Sequence, residues 1–115
     1  MSKRHPKLLL GDILDSAEKI FLYTETLTYE EFITDSRTID AVVRNFEIIG
    51  EATNQLPQKF KDENTSIDWF RIRGFRNRIV HDYVGIDYEL MWALRDTHLK
   101  DLVLEIQNIL MNKII

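Results

Sequence analysis

The sequence predicts an all-α fold, a four-helix up-down bundle with short additional helical segments, assembled as a dimer. Three observations predict the helical class. Apolar residues recur at three- and four-residue spacing through the long segments, the period of an amphipathic helix. Four Gly and two Pro in 115 residues leave few breaks for the turns that many short strands require. No stretch alternates apolar and polar residues as a half-buried strand does, and there is no internal repeat or low-complexity tract.

The first predicted helix runs from about Pro6 to Thr24, with Leu10, Ile13, Leu14, Ala17 and Phe21 on its apolar face. Pro6 suits the first turn, where the N–H it lacks would have no partner. Thr28 and Glu31 in "TYEEF" have the spacing of a capping box and mark a short helical segment. "TDSRTIDAVVRNFEIIGEATNQLP" reads as the second long helix, opening at Asp35 or Ser36 and closing before Pro57. Ile39, Val42, Val43, Phe46, Ile49 and Ala52 form its buried stripe. Gly50 interrupts that stripe at a cost of about 1 kcal/mol relative to Ala, which points to close approach of another backbone.

"PQKFKDENTS" is the most polar stretch and is expected to be a helical turn plus loop. Ser66 is expected to cap a third helix, "IDWFRIRGFRNRIVH", with Asp68 in its first turn. "DYVGID" breaks it, and Asp87 opens a fourth helix from about Tyr88 to Leu110. Leu90, Met91, Leu94, Leu99, Val103, Ile106 and Leu110 make this helix apolar around much of its circumference. With Trp92 beside them, that surface points to a helix shared with a second copy of the chain.

Bulk properties bound the function. The length fits one domain over 1–115, with residues 1–5 as a mobile lead-in. No run reaches the roughly 18 apolar residues of a membrane span. Charge interrupts the N-terminal apolar stretch too early for a signal peptide, so a cytoplasmic protein is expected. Zero Cys excludes disulfides, thiolate zinc sites and a cysteine nucleophile. His5, His81 and His98 are too scattered for a zinc site, so no metal and no cofactor are expected. A net charge of −4 argues against a broad basic surface that coats nucleic acid. Charge is unevenly placed, however: between Trp69 and His81 stand four Arg and no acid.

Two of those arginines, Arg76 and Arg78, fall in "RNRIVHDY", residues 76–83, where the chemistry concentrates. On a continuous helix, with Arg76 at zero, Arg73 falls near about 60°, Asn77 near about 100° and His81 near about 140°. The four would share one face, while Ile72, Phe75 and Ile79 form a separate apolar stripe toward the core and Arg71 and Arg78 point to solvent. Asn77 and His81, four apart, could then hydrogen-bond and fix the imidazole tautomer. Such a face fits RNA phosphodiester cleavage without a metal. The imidazole can take the proton of a ribose 2′-hydroxyl, and the guanidinium can stabilise charge on the phosphorus oxygens. A second acid must protonate the leaving oxygen, and a dimer would supply it as a second His81. Spacing alone leaves a plainer reading open, and ahead: a histidine stabilised by a helix C-terminus, beside solvated arginines. Glu47 and Glu51 are read as structural partners for an arginine of the third helix rather than as catalysts. His98 is read as a packed or surface residue.

"RNRIVHDY" also carries the Arg-x4-His-x-Tyr pattern, with Asn directly after the Arg. In this it resembles the HepT-like toxins of the HEPN superfamily. "RNFEIIGEATNQLP" at 44–57, "IDWFRIRGFRNRIVHDYVGID" at 67–87 and the Trp-containing helix that follows are similar to that family's pattern, in its order. The resemblance implies a dimeric four-helix HEPN bundle acting as a metal-independent ribonuclease toxin, with the motif lining a cleft between subunits. It assigns Arg76 to phosphate and transition-state stabilisation and His81 to acid–base chemistry. It makes Asn77 a residue that positions the histidine or substrate, while Arg73 shares the face without belonging to the pattern. It further implies an MntA-like nucleotidyltransferase antitoxin that attaches AMP to Tyr83, placing negative charge beside Arg76 and His81. Two alternatives stay open on the sequence: a non-catalytic HEPN subunit that binds nucleotide or assists a nucleotidyltransferase, and a plain dimeric helical interaction module.

Overall fold

A computed structural model describes residues 4–81 and 84–112, and the architecture is almost wholly helical. Helix α1, Pro6–Thr24, has Pro6 in its first turn and His5 as N-cap, whose Nδ1 accepts from the Lys7 N–H at 3.0 Å. The short α2, Tyr29–Phe32, opens with a complete capping box: Thr28 Oγ1 accepts from the Glu31 N–H, and the Glu31 carboxylate accepts from the Thr28 N–H. Helix α3, Ser36–Gln55, is capped by Asp35, which accepts from both the N–H and the hydroxyl of Thr38. Those bonds hold the Asp35 carboxyl below its ordinary pKa, the hydroxyl bond contributing most.

Helix α3 packs along α1 and carries α5 (Trp69–Arg73) and α6 (Phe75–Ile79) on its other contacts, while α1 also meets α8 (His98–Asn112). The core is built where these meet, from fully buried Ile13, Ile20, Phe46, Ile49, Phe75, Ile79, Leu99 and Ile106 among others. The expected faces of α1 and α3 are present, with Val43, Leu14 and Phe21 half-buried at their margins. Gly50 is buried, and a Cβ there would lie 3.1 Å from the carbonyl oxygen of Arg73. This is the close backbone approach that its place in the stripe implied. Between α3 and α5 lies α4, Gln58–Glu63, the turn of helix expected in the polar stretch.

The third and fourth segments depart from the expected pattern. Asp68, not Ser66, caps the third segment, accepting from the Arg71 N–H at 3.1 Å. The helix then splits at Gly74 into α5, Trp69–Arg73, and α6, Phe75–Ile79. It stops at Ile79 because Val80 turns extended, at φ −107° and ψ 117°. Val80–His81 (β1) pairs antiparallel with Gly85–Ile86 (β2), in register Val80 with Ile86 and His81 with Gly85. Gly85 takes φ +108°, a conformation that favours glycine and explains why this hairpin closes there. Two residues per strand are too few to show as an alternating pattern. Asp87 caps α7, Tyr88–Asp96, as expected, but the fourth segment breaks at Thr97 before α8, His98–Asn112. Thr97 takes φ −113° and ψ −80°.

Trp92 is half-buried within the chain. Its ring packs on Phe32 and Tyr29 of α2, and the Arg95 guanidinium stacks 3.8 Å above it. Leu104 and Met111 of α8 remain exposed. Among the described residues no helix is long and apolar enough to cross a membrane.

Candidate active site

Gly50 lets α5 and α6 sit directly on α3, and this contact brings the arginines of the motif segment to the carboxylates of α3. Arg76 Nε lies 3.3 Å from Glu47 Oε2, each side chain about one-third exposed (35% and 33%). The Arg76 Nε hydrogen is not aligned for a hydrogen bond, so the contact is an ion pair across the two helices. Glu47 also lies 3.6 Å from Arg44, which reaches Glu51 at 3.9 Å. Glu47 is therefore the structural partner expected for an arginine of the third segment.

Arg73, Arg76 and Asn77 line one open hollow of about 580 Å³, floored by Gly50 and Gly74 and edged by Glu47, Glu51, Asn54 and Phe70. Three of the four residues assigned to a shared face do share this surface. The fourth does not lie on the helix. His81 stands in β1, two residues past the end of α6, with its side chain exposed. Its helical angle to Arg76 therefore does not apply, and no hydrogen bond joins it to Asn77 among the described residues. The hairpin fixes its backbone instead: the His81 carbonyl accepts from the Val84 N–H at 3.1 Å, and the Asp87 N–H closes on the Ile79 carbonyl at 2.8 Å. Arg78 is exposed and lines none of the hollows described here. Tyr83, the expected modification site, lies outside the described residues, as does Asp82.

Arg71 is exposed and His98 half-buried against Phe75, as expected, but the two also meet each other. Arg71 Nη1 lies 2.9 Å from His98 Nε2, and Thr97 Oγ1 lies 3.0 Å from His98 Nδ1. Arginine only donates, so Nε2 accepts and the ring proton sits on Nδ1, pointing at Thr97 Oγ1. That hydroxyl in turn donates to the Ala93 carbonyl at 2.8 Å. Arg71 thus ties α5 to the break between α7 and α8. The pairing spans 27 positions and has no local signature, which is why periodicity could not find it. Among the described residues no three or more His, Cys, Asp or Glu side chains gather as a metal site.

Residues 13–109 match the family described as HepT-like, ribonuclease HepT-like. A Methanocaldococcus jannaschii protein named "Putative RNase MJ1380" is 40% identical over 94 residues, covering 82% of this chain and 86% of that protein. A second protein of that organism, "Putative RNase MJ0127", is 33% identical over 110 residues, 96% of this chain and 91% of its own length. A Thermococcus cleftensis protein named "Probable ribonuclease HepT" is 37% identical over 90 residues, 78% of this chain and 82% of that one. No solved structure matches. The family match over residues 13–109 and the identity to these relatives over most of their length show that this protein belongs to the HepT-like ribonuclease family.

Proposed function

We propose that this chain is the toxin of a type VII HepT/MntA-like toxin–antitoxin pair: a cytoplasmic, homodimeric HEPN bundle that cleaves RNA without a metal. The single observation that carries this reading is Arg76. A guanidinium oriented by Glu47 from a neighbouring helix, yet opening on a hollow shared with Arg73 and Asn77, suits binding of a phosphodiester. His81 is exposed on a braced hairpin beyond it, where a second subunit can meet it.

In the proposed reaction His81 takes the proton of a ribose 2′-hydroxyl, and that oxygen attacks the adjacent phosphorus. The bond to the leaving 5′-oxygen breaks, and His81 of the second copy gives that oxygen a proton. Atoms balance as a cyclic phosphate and a free hydroxyl. Arg76 stabilises the charge on the non-bridging oxygens, Asn77 positions the substrate or histidine, and Arg73 adds a phosphate contact. AMP attached to Tyr83 by an MntA-like nucleotidyltransferase would bring a competing phosphate to the same cations.

Purified protein should cleave RNA in the presence of chelator, and Arg76→Ala or His81→Ala should abolish cleavage with the fold intact. Cleavage surviving in both variants would overturn the assignment; RNA or nucleotide binding without cleavage would favour a non-catalytic subunit. Incubation with the partner nucleotidyltransferase and ATP should add AMP mass to the Tyr83 peptide, and Tyr83→Phe should prevent it. Labelling that persists in Tyr83→Phe would point to another acceptor.

A further inference from the structure

Phe70 is 77% exposed, a large apolar side chain standing out of α5 rather than packed into the core. It forms the divide between two open hollows: the one containing Arg76, and another of about 570 Å³ lined by Lys61, Gln58 and Trp69 together with the carboxylates of Asp62 and Asp68. Arg73 also borders both hollows, with its guanidinium carbon 5.2 Å from the centre of the Phe70 ring. Arg73 makes no ion pair among the described residues, in contrast to Arg76, so its donors are open to an anion.

The base of this ridge is anchored in the core. Trp69, the next residue, is buried; its indole N–H donates to the Asn64 carbonyl at 3.0 Å, and its ring packs against Phe60. An exposed aromatic on a braced base, with a cation beside it, is the arrangement that holds unpaired nucleic acid bases by stacking.

We infer that Phe70 and Arg73 form a nucleotide clamp beside the cleavage site, Phe70 stacking on one unpaired base of single-stranded RNA and Arg73 binding a flanking phosphate. The strand would then cross the Phe70 ridge from the hollow of Lys61 into that of Arg76. This deepens the ribonuclease reading and rests on it for the identity of the substrate. Double-stranded RNA is excluded by the same geometry, since its bases have no free face to offer the ring. An exposed aromatic can also serve a subunit interface, but Arg73 argues for an anionic ligand on this one.

The test is fluorescence anisotropy with a fluorescein-labelled 2′-O-methyl oligoadenylate, which lacks the nucleophile and stays intact. A second strand of the same length, abasic throughout, carries the charge without the bases. Phe70→Ala should weaken binding of the adenine strand about ten- to hundredfold and leave the abasic strand unchanged. Phe70→Trp should restore binding, and Arg73→Ala should weaken both strands. Equal affinity of wild type and Phe70→Ala for the adenine strand would overturn the clamp. So would a Phe70→Ala protein that binds RNA normally but sediments as a smaller species, which would make Phe70 a subunit contact. The two levels separate cleanly. Phe70-dependent binding by a protein that never cleaves RNA keeps the clamp and removes the ribonuclease, whereas His81-dependent cleavage indifferent to Phe70 does the reverse.

Discussion

Four arginines lie between Trp69 and His81, and the fold gives each a different setting. Arg71 holds His98, Arg73 leans on Phe70, Arg76 pairs with Glu47, and Arg78 is exposed. Their density was plain in the sequence, and Glu47 was legible as a partner for an arginine of this segment; which arginine it takes was not, nor was the contact of Arg71 with His98, because both partners lie on other helices. Glu47 is expected to position Arg76 rather than to touch RNA. Glu47→Gln should lower kcat about tenfold or more, by loosening a group whose loss costs about a hundred- to a thousandfold. In an Arg76→Ala background the same substitution should have no further effect, and a double-mutant cycle on cleavage rates reads this directly. Arg76→Lys should not restore activity, because a point charge cannot present the planar fork. A further prediction concerns Asp35. Its folded pKa is lowered, so its stabilisation is fully present above the ordinary value of 3.8 and is lost as pH falls through the lower folded value. Urea denaturation across acid pH should show this limb in the wild type and a flatter one in Asp35→Ala.

At the scale of elements, what was legible followed locality. Caps and turns written in adjacent residues appear as read: Pro6, the Thr28–Glu31 box, Asp35 and Asp87. The apolar stripes of α1 and α3 also appear, because a long periodic run has one way to bury itself. The two breaks in the later segments were less legible. At Gly74 and Thr97 the apolar period continues through the interruption, so the sequence reads as one helix where the backbone makes two. The end of α6 mattered most, since it moves His81 from a helix face to a hairpin and voids the angle that linked it to Arg76. Gly85 was the available sign, a glycine at φ +108° four residues past His81. The Gly50 contact carries its own prediction. Adding a methyl 3.1 Å from the Arg73 carbonyl sets an overpacking cost of about 1–3 kcal/mol against a helix-propensity gain of about 1 kcal/mol. Gly50→Ala should therefore destabilise by about 1 kcal/mol in urea denaturation. A more stable variant would mean that α5 yields at Gly74.

For the whole molecule, one chain carries one exposed His81, and the proposed chemistry needs a base and an acid at the same phosphate. A dimer with two-fold symmetry satisfies this by meeting itself at the motif. If only fully wild-type dimers cleave, mixing and exchanging wild type with an equal amount of His81→Ala should leave roughly a quarter of the activity per total chain rather than a half. A value near a half would mean that each subunit acts alone. The exposed Leu104 and Met111 mark α8 as a further surface that a second copy could cover.

The most direct measurement is cleavage of single-stranded RNA by the purified protein in excess EDTA, compared with Arg76→Ala and His81→Ala proteins whose circular dichroism is unchanged. The expected result is cleavage by the wild type, with a fall of about a hundred- to ten-thousandfold in each variant. Undiminished cleavage by both variants, or a wild-type activity that disappears with the chelator, would contradict metal-independent catalysis by Arg76 and His81.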